Sequence, residues 1–390
     1  MDQAFHNAPT QPTRVRTPIH QPVLKVIGLG GGGGNAVDRM IELGIKGIEF
    51  ITANTDHQAL ARSQAPIKIQ LGLKATRGLG AGGNPQVGRQ AAEESWRAIA
   101  QALAGADMVF LTAGMGGGTG TGAIPIATQI AKAQGAVAIA VVTTPFSFEM
   151  GRRQKNAQAG LSELRKHTDT LITIPNDRLL YVAPPNLPLD TAFRLADDVL
   201  RQAVQSITEL ITEPGLINID FAHIRRLMKL GGGALMAIGY GQGEHKAQAA
   251  LEQALNHPLL ETVSLNHAAG VIVNFTAGSD LTLMEVSEAL NYLQSQANPA
   301  TEIVMGTTQD ERLRNRVQAI LVVTGLGATS LEEVMPGIQK PVTRAAGQAP
   351  VRRLVTEAEQ QPPLLQPAGM PHDLDLPAFM RRGSRTTGQL

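Results

Sequence analysis

Two glycine-rich stretches, each where a strand-like run gives way to a helix-like pattern, constrain this chain more than any other feature. In the first, "KVIGLGGGGGNAV", five consecutive glycines (Gly30–Gly34) follow the apolar run Val23–Gly28. They precede Asn35–Leu43, where Val37, Met40 and Ile41 recur at helical spacing. Gly28, Gly30 and Gly33 satisfy GxGxxG, and Asp56 follows at about 20 residues, as a dinucleotide fingerprint asks. A nucleoside triphosphate held without a lysine, and a glycine turn with no ligand, stay open on this stretch alone. For either ligand the physical role is the same. Glycines let backbone N–H groups approach phosphate closely, and the helix N-terminus adds a favourable dipole.

The second stretch, "AGMGGGTGTGAIP" (Ala113–Pro125), also ends a strand-like run and opens a helix. Its backbone donors form a concave nest, to which Thr119 and Thr121 add hydroxyls. Two such loops at the carboxyl ends of neighbouring parallel strands face one crevice. Their anion-binding capacity exceeds what a single diphosphate bridge needs, so a polyphosphate fits better. No GxxxxGK[ST] occurs, no [NT]KxD marks a Ras-type guanine pocket, and no HRD or DFG set marks a kinase.

The rest of the chain supplies the frame. Its 390 residues suffice for two domains. A net charge of +1 gives no electrostatic bias toward nucleic acid or membrane, and scarce aromatics (3%) disfavour a stacking surface for single strands. Without cysteine there is no disulfide, thiolate catalysis or cysteine zinc site, and the histidines show no HExxH spacing, so no metal site is expected. The first 22 residues lack a signal-peptide core, and no run reaches the roughly 18 apolar residues of a membrane span. A soluble cytoplasmic protein is the expectation.

Strand and helix patterns alternate from Val23. Strands are expected at Gly47–Ala53, Ile67–Leu71, Asp107–Ala113, Ala136–Thr144 and Leu171–Pro175, and a glycine-rich loop at Gly72–Asn84. Asn84 caps a helix that starts at Pro85, and Thr119–Ala133 is another helix. Such apolar strands imply an α/β fold with a parallel sheet covered on both faces. One long helix follows, Asp190 to Thr212, with Phe193, Ala196, Leu200, Val204, Ile207 and Ile211 on one stripe and Pro214–Gly215 as its stop. Beyond it, helices (Phe221–Lys229, Glu244–Leu255, Leu281–Leu290) mix with strands (Gly270–Thr276, Glu302–Thr307, Gln318–Thr324) as a second α+β domain.

Several segments together carry a resemblance. "GGGTGTG" at 116–122 looks like the signature of the tubulin/FtsZ superfamily. With "ANTDHQAL", "GLGAGGNPQVGR", "VVTTPFSFE", "LITIPNDRLL" and "PGLINIDFA", the chain from about Val23 to Gly327 resembles the bacterial FtsZ family of cell-division GTPases. The resemblance implies a tubulin-like GTPase domain with a parallel sheet, a long central helix and a second α+β domain. The expected organisation is a disordered arm (1–22), a GTP-binding domain (23–189), the central helix (190–213), the C-terminal domain (214–334), a linker (335–371) and a partner-binding tail (372–390).

By position, Gly31, Gly32 and Asn35 match the first phosphate loop, and Gly116, Gly117, Gly118, Thr119 and Gly120 the signature loop. Glu149 and Arg153 match the ribose contacts, and Phe193 and Asp197 the guanine pair. The chemistry agrees: an aromatic face stacks on a base, and a carboxylate accepts from guanine's N1–H and N2–H₂, a donor pair adenine lacks. Read without the family, Phe193 is a core residue and Arg153 a solvated charge. The implied ligands are GTP and GDP, with Mg²⁺ carried by the triphosphate.

"NIDFAH" (Asn218–His223) lies past the far end of the long helix, roughly 30 Å from Phe193 by helix rise. A general base must come within about 3 Å of its water, so a catalytic loop there serves the next subunit. That contact is head-to-tail and propagates as a filament. The resemblance makes Asn218, Asp220 and His223 the hydrolysis-stimulating loop; the alternative for Asn218 and Asp220 is a turn and helix cap. His223 stands where the family has a second acid, so hydrolysis is expected to be slow. The competing readings are a structural GTP-dependent polymer with negligible turnover and, less well fitted, a Rossmann dehydrogenase. "DLDLPAFMRR" (Asp373–Arg382) resembles the tail that docks on division proteins and membrane tethers, which implies indirect membrane contact at the mid-cell division site.

Overall fold

The computed structural model describes residues 21–149, 151–181, 186–212, 220–260 and 265–326. The expected arm up to residue 20, Asn218, the linker and the tail lie outside the described residues. The first half alternates strictly. β1 (Leu24–Leu29) leads into α1 (Gly30–Glu42), β2 (Glu49–Asn54) into α2 (His57–Arg62), and β3 (Ile67–Gln70) into α3 (Leu73–Thr76), α4 (Pro85–Glu94) and α5 (Trp96–Leu103). Then β4 (Met108–Gly114) leads into α6 (Thr119–Ala133), β5 (Val137–Thr144) into α7 (Arg152–Arg165), and β6 (Thr170–Pro175) into α8 (Asn176–Leu179). The long helix is α9 (Leu189–Thr212). After it come α10 (Phe221–Met228), β7 (Gly233–Gln242), α11 (Lys246–Leu255), β8 (Gly270–Ala277), α12 (Leu283–Gln296), β9 (Glu302–Gln309) and β10 (Arg316–Leu326).

The ten strands among the described residues share one sheet in the order β3-β2-β1-β4-β5-β6-β7-β10-β8-β9. The strands from β3 to β6 are parallel, with Leu29 opposite Ala113 where β1 meets β4. β7 continues parallel to β6 through only two residue pairs, and β10 then runs antiparallel to both β7 and β8. The strands are apolar on both faces because both faces are covered. Val26, Phe110 and Ile139 pack under α1 and α9, while Ile27, Leu29 and Leu111 pack under α4, α5, α6 and α7. A third core, around Phe275 and Leu321, lies under α11 and α12.

Local chemistry sets several boundaries. Asn84 accepts the Gln86 amide and Pro85 takes the first helical position, so α4 starts where its cap directs. Thr282 and Glu285 form a reciprocal capping box on α12. The stripe expected on the long helix is buried at Ala196, Leu200, Val204 and Ile207. Phe193 departs from it and stands 38% exposed. The glycine run also differs from expectation. The helix expected from Asn35 starts at Gly30, so the five glycines are its first turn and not a loop before it.

Candidate nucleotide site

The two glycine stretches meet. α1 begins directly after β1; Leu29 gives it no side-chain cap, and its first turn holds no acid. α6 begins after Gly118, also with no side-chain cap. Adjacent parallel strands therefore aim two helix N-termini at one place, with amides free to meet an anion. They touch: a Cβ on Gly30 (φ 72°) would lie 2.8 Å from the Gly120 nitrogen. Gly33 is as constrained, since its Cβ would meet the Thr112 carbonyl at 2.3 Å. Gly31 faces open space.

Above this floor opens a cleft of about 400 Å³, within the usual range for a small-molecule site. Of the expected residues it brings together Gly31, Gly32, Asn35, Gly117, Gly118, Thr119, Gly120, Glu149, Arg153, Phe193 and Asp197. Gly116 is not among its lining. Its N–H donates to Thr121 Oγ1 at 2.8 Å and its carbonyl accepts from Asn156, so Gly116 shapes the loop from behind. Thr121, expected to offer its hydroxyl to the ligand, is buried and holds Gly116 instead. Thr119 Oγ1 lies 2.6 Å from Thr55 Oγ1. Asp56, the acid of the dinucleotide fingerprint, caps α2 by accepting the amides of Gln58 and Ala59, and does not line the cleft.

The other end of the cleft is aromatic and acidic. Phe193 meets the buried Phe146 edge to face at 5.4 Å, and Phe148 stacks on Phe146 at 5.1 Å. Asp197, one helical turn along from Phe193, is half-buried, and burial pushes its carboxyl up to about 7. Asn176, the first residue of α8, also lines this end; it is 5% exposed, and its Oδ1 has no hydrogen-bond partner. A buried acceptor without a donor is costly, which marks Asn176 as waiting for one. Between the two ends, Glu149 accepts the Phe146 amide at 3.0 Å and pairs with the exposed Arg153.

Sequence reasoning assigns no role to three of these features. Phe146 and Asn176 stand in "VVTTPFSFE" and "LITIPNDRLL", which carry the family resemblance without giving either residue a role. The loop Ala81–Asn84 packs on the signature loop: a Cβ on Gly118 would meet Ala81 Cβ at 2.8 Å and the Asn84 nitrogen at 2.9 Å. The sequence marks that segment as a glycine-rich loop and, in "GLGAGGNPQVGR", as part of the family resemblance, but gives it no role at the site.

The expected catalytic loop lies elsewhere. Asp220 caps α10, its carboxylate accepting the Ala222 amide at 3.0 Å. His223, in the first turn of α10, is exposed. Both stand beyond the far end of α9, whose 24 residues span about 36 Å. The structure does not bring them to the cleft. A cleft of similar size, about 430 Å³, runs along α9 beside β8–β10, but no glycine lines it and its arginines are already paired, Arg201 with Asp198 and Arg312 with Asp310.

The comparisons with known proteins agree with this geometry. Residues 23–184 match the family model for the Tubulin/FtsZ family, GTPase domain, and residues 232–327 that for the FtsZ family, C-terminal domain. An FtsZ dimer from M. jannaschii, solved empty, is 46% identical with a TM-score of 0.76, over 79% of this chain and 89% of that one. A tryptophan-to-tyrosine mutant of M. jannaschii FtsZ is also 46% identical, with a TM-score of 0.75, over 78% and 91%. CetZ2 from Haloferax volcanii, solved as a GTPγS-bound protofilament, is 17% identical with a TM-score of 0.68, over 80% and 96%, and shares the fold.

Proposed function

Because the chain belongs to the FtsZ family of tubulin-like GTPases, we propose that it binds GTP in the cleft above α1 and α6, assembles head to tail, and hydrolyses GTP where two subunits meet. One observation carries the reading. Two uncapped helix N-termini, an exposed phenylalanine and a half-buried carboxylate share a single cleft, and Asp220 stands a full helix length away.

The triphosphate lies on the amides of Gly31, Gly32 and Gly117–Gly120, with the Thr119 hydroxyl beside them. The base lies on Phe193. Asp197 accepts from N1–H and N2–H₂, and Asn176 Oδ1 takes a donor at the same end. Glu149 and Arg153 hold the ribose. Mg²⁺ travels with the phosphates: no group of three His, Cys, Asp or Glu among the described residues could hold a metal, and the phosphate end offers N–H donors, which suit anions. Bound there, the ion would offset phosphate charge.

The neighbouring subunit supplies Asn218, Asp220 and His223 to the terminal phosphate. Apolar side chains exposed around the cleft support a docking face: Phe148 on Phe146, Tyr181 just after α8, and Leu189 one turn before Phe193. Asp220 keeps its capping role while its second oxygen faces solvent or the neighbour. His223 puts an imidazole there and not the negative field of a second acid. A lost general base costs about 10²–10⁴ in rate, which favours slow turnover and long-lived polymers. A polymer with negligible turnover is the second reading, and His223 is what favours it. Division partners and membrane tethers would bind Asp373–Arg382, outside the described residues, and place the filament at mid-cell. No helix among the described residues is long and apolar enough to cross a membrane.

The test is GTP turnover measured against protein concentration, with polymer sedimented alongside. A shared site makes both rise above one threshold. Turnover per molecule that stays constant on dilution would refute it.

A further inference from the structure

We propose that Asn156 is a positioning residue for this reaction: it ties the signature loop to the Ala81–Asn84 loop, so that both face one terminal phosphate. The inference rests on the nucleotide reading above and extends it to a residue outside the cleft's charged and glycine contacts.

The amide of Asn156 spans two loops. Its Nδ2 donates to the Gly83 carbonyl at 3.1 Å and to the Gly116 carbonyl at 3.2 Å, one bond for each of its two hydrogens. Gly116 is the backbone hinge of the signature loop. Its φ is 102°, and a Cβ there would lie 2.8 Å from the Arg153 carbonyl. Gly82 and Gly83 (φ 56° and 69°) are both left-handed, with nothing within 4 Å of where their Cβ atoms would sit. The turn bond from the Asn84 amide to the Ala81 carbonyl closes this loop, and Asn156 anchors it from outside.

α7 can reach both loops because it packs unusually close to α6. A Cβ on Gly160 would lie 2.4 Å from Thr121 Cγ2, and Thr121 in turn holds the Gly116 amide. Three residues before Asn156, the same helix carries Arg153, which lines the cleft. One rigid element therefore fixes a cleft side chain and the spacing of two loops. The signature loop lies over the floor made by α1 and α6. The Ala81–Asn84 loop touches the signature loop at Gly118 and none of its residues lines the cleft, so it meets only a ligand that extends past Gly118, and of a nucleotide that part is the terminal phosphate.

The test uses the full chain, diluted below assembly, and compares GTP with GDP affinity by competition. Asn156→Asp keeps the side-chain shape but turns two donors into a carboxylate facing two carbonyl oxygens. GTP affinity is expected to fall about tenfold while GDP affinity stays within about twofold, both measured at a temperature where the nucleotide-free variant is folded. Asn156→Ala, which removes the donors without repulsion, falls between wild type and Asn156→Asp, and it carries the same test if the Asp variant does not fold. Above the assembly threshold, Asn156→Ala lowers turnover at limiting GTP more than at saturation. An unchanged GTP-to-GDP ratio in a folded variant, or equal losses for both nucleotides, overturns the inference. Failure of the wild type to bind either nucleotide would instead overturn the reading beneath it.

Discussion

With Asp197 as the base's acceptor, as proposed, base recognition depends on pH, and the size of the effect follows from the surroundings of its carboxyl. Burial lifts its carboxyl to about 7 in the open cleft, against an ordinary value of 3.8. Guanine can be bound only by the ionised form, because that form accepts from N1–H and N2–H₂ and those bonds return the carboxyl to low values. Binding therefore expels a proton whenever the empty site is protonated. At pH 6 about nine-tenths of empty sites carry that proton, and at pH 7.5 about a quarter do. The apparent affinity at pH 6 should be about 8-fold lower than at pH 7.5, equivalent to ~1.3 kcal/mol. Stability of the empty protein runs the opposite way. A carboxyl raised in the folded state favours folding at low pH, and that advantage is lost as pH rises from about 4 toward 7. The assay is equilibrium binding of GDP to dilute protein from pH 6 to 8, in two buffers of different ionisation enthalpy so that proton release is read directly. Asp197→Asn should bind more weakly at pH 7.5 and lose the slope, and it should gain relative affinity for xanthine nucleotides, whose O2 can accept from the new amide. A flat profile in the wild type, or a slope that survives in Asp197→Asn, would refute the role of this carboxyl.

Two further outcomes are expected. His223→Asp should raise polymer turnover by about tenfold or more, with the assembly threshold unchanged; no gain, measured as phosphate released per subunit in sedimented polymer, would mean that Asp220 alone suffices. Gly88→Ala places a Cβ 2.3 Å from the Gly118 carbonyl, so α4 and the signature loop must part. Overpacking of this kind costs about 1–3 kcal/mol, read as a lower urea midpoint at constant m, and nucleotide affinity should fall with it.

The features legible in the sequence are those whose cause is local. Asn84–Pro85 announces α4 because a cap and its proline act within three residues. Thr119–Ala133 is a helix between the same residues that the pattern predicts, and α9 begins one residue before its predicted start. The features that escape depend on contacts made far away. β7 escapes because glycine and alanine dilute its pattern. Their smallness has a tertiary cause, because a Cβ on Gly239 or Gly241 would meet the Ala250 or Lys246 carbonyl of α11 at 2.0 or 1.9 Å. α7 buries only Ala157, Gly160, Leu161 and Leu164 within a polar sequence, so its stripe is thin. Gly30–Gly34 read as a loop by composition yet form a helix, since the neighbours of β1 and β4 leave no room for side chains at Gly30 and Gly33. In the site, the glycine loops and the Phe193–Asp197 pair are legible through the family resemblance. Asn176 is not, because its meaning lies in an acceptor left without a partner after folding.

The same distinction explains why the chemistry divides between subunits. α9 is not a free rod that could bend to bring its ends together. Its stripe of Ala196, Leu200, Val204 and Ile207 is buried from the first strands of the sheet to β7, β8 and β10. Exposing one of the larger residues costs about 1.5–3 kcal/mol, so a kink that exposed Leu200, Val204 and Ile207 together would consume most of the stability of a typical domain. The helix that places Phe193 and Asp197 in the cleft separates its own ends by about 36 Å, and Asp220 follows the far end and does not line the cleft. If the loop there is hydrolytic, as proposed, it can meet a terminal phosphate only across a boundary between molecules. Each molecule then offers a cleft at one end and a loop at the other, and a contact of that kind has no reason to stop at two.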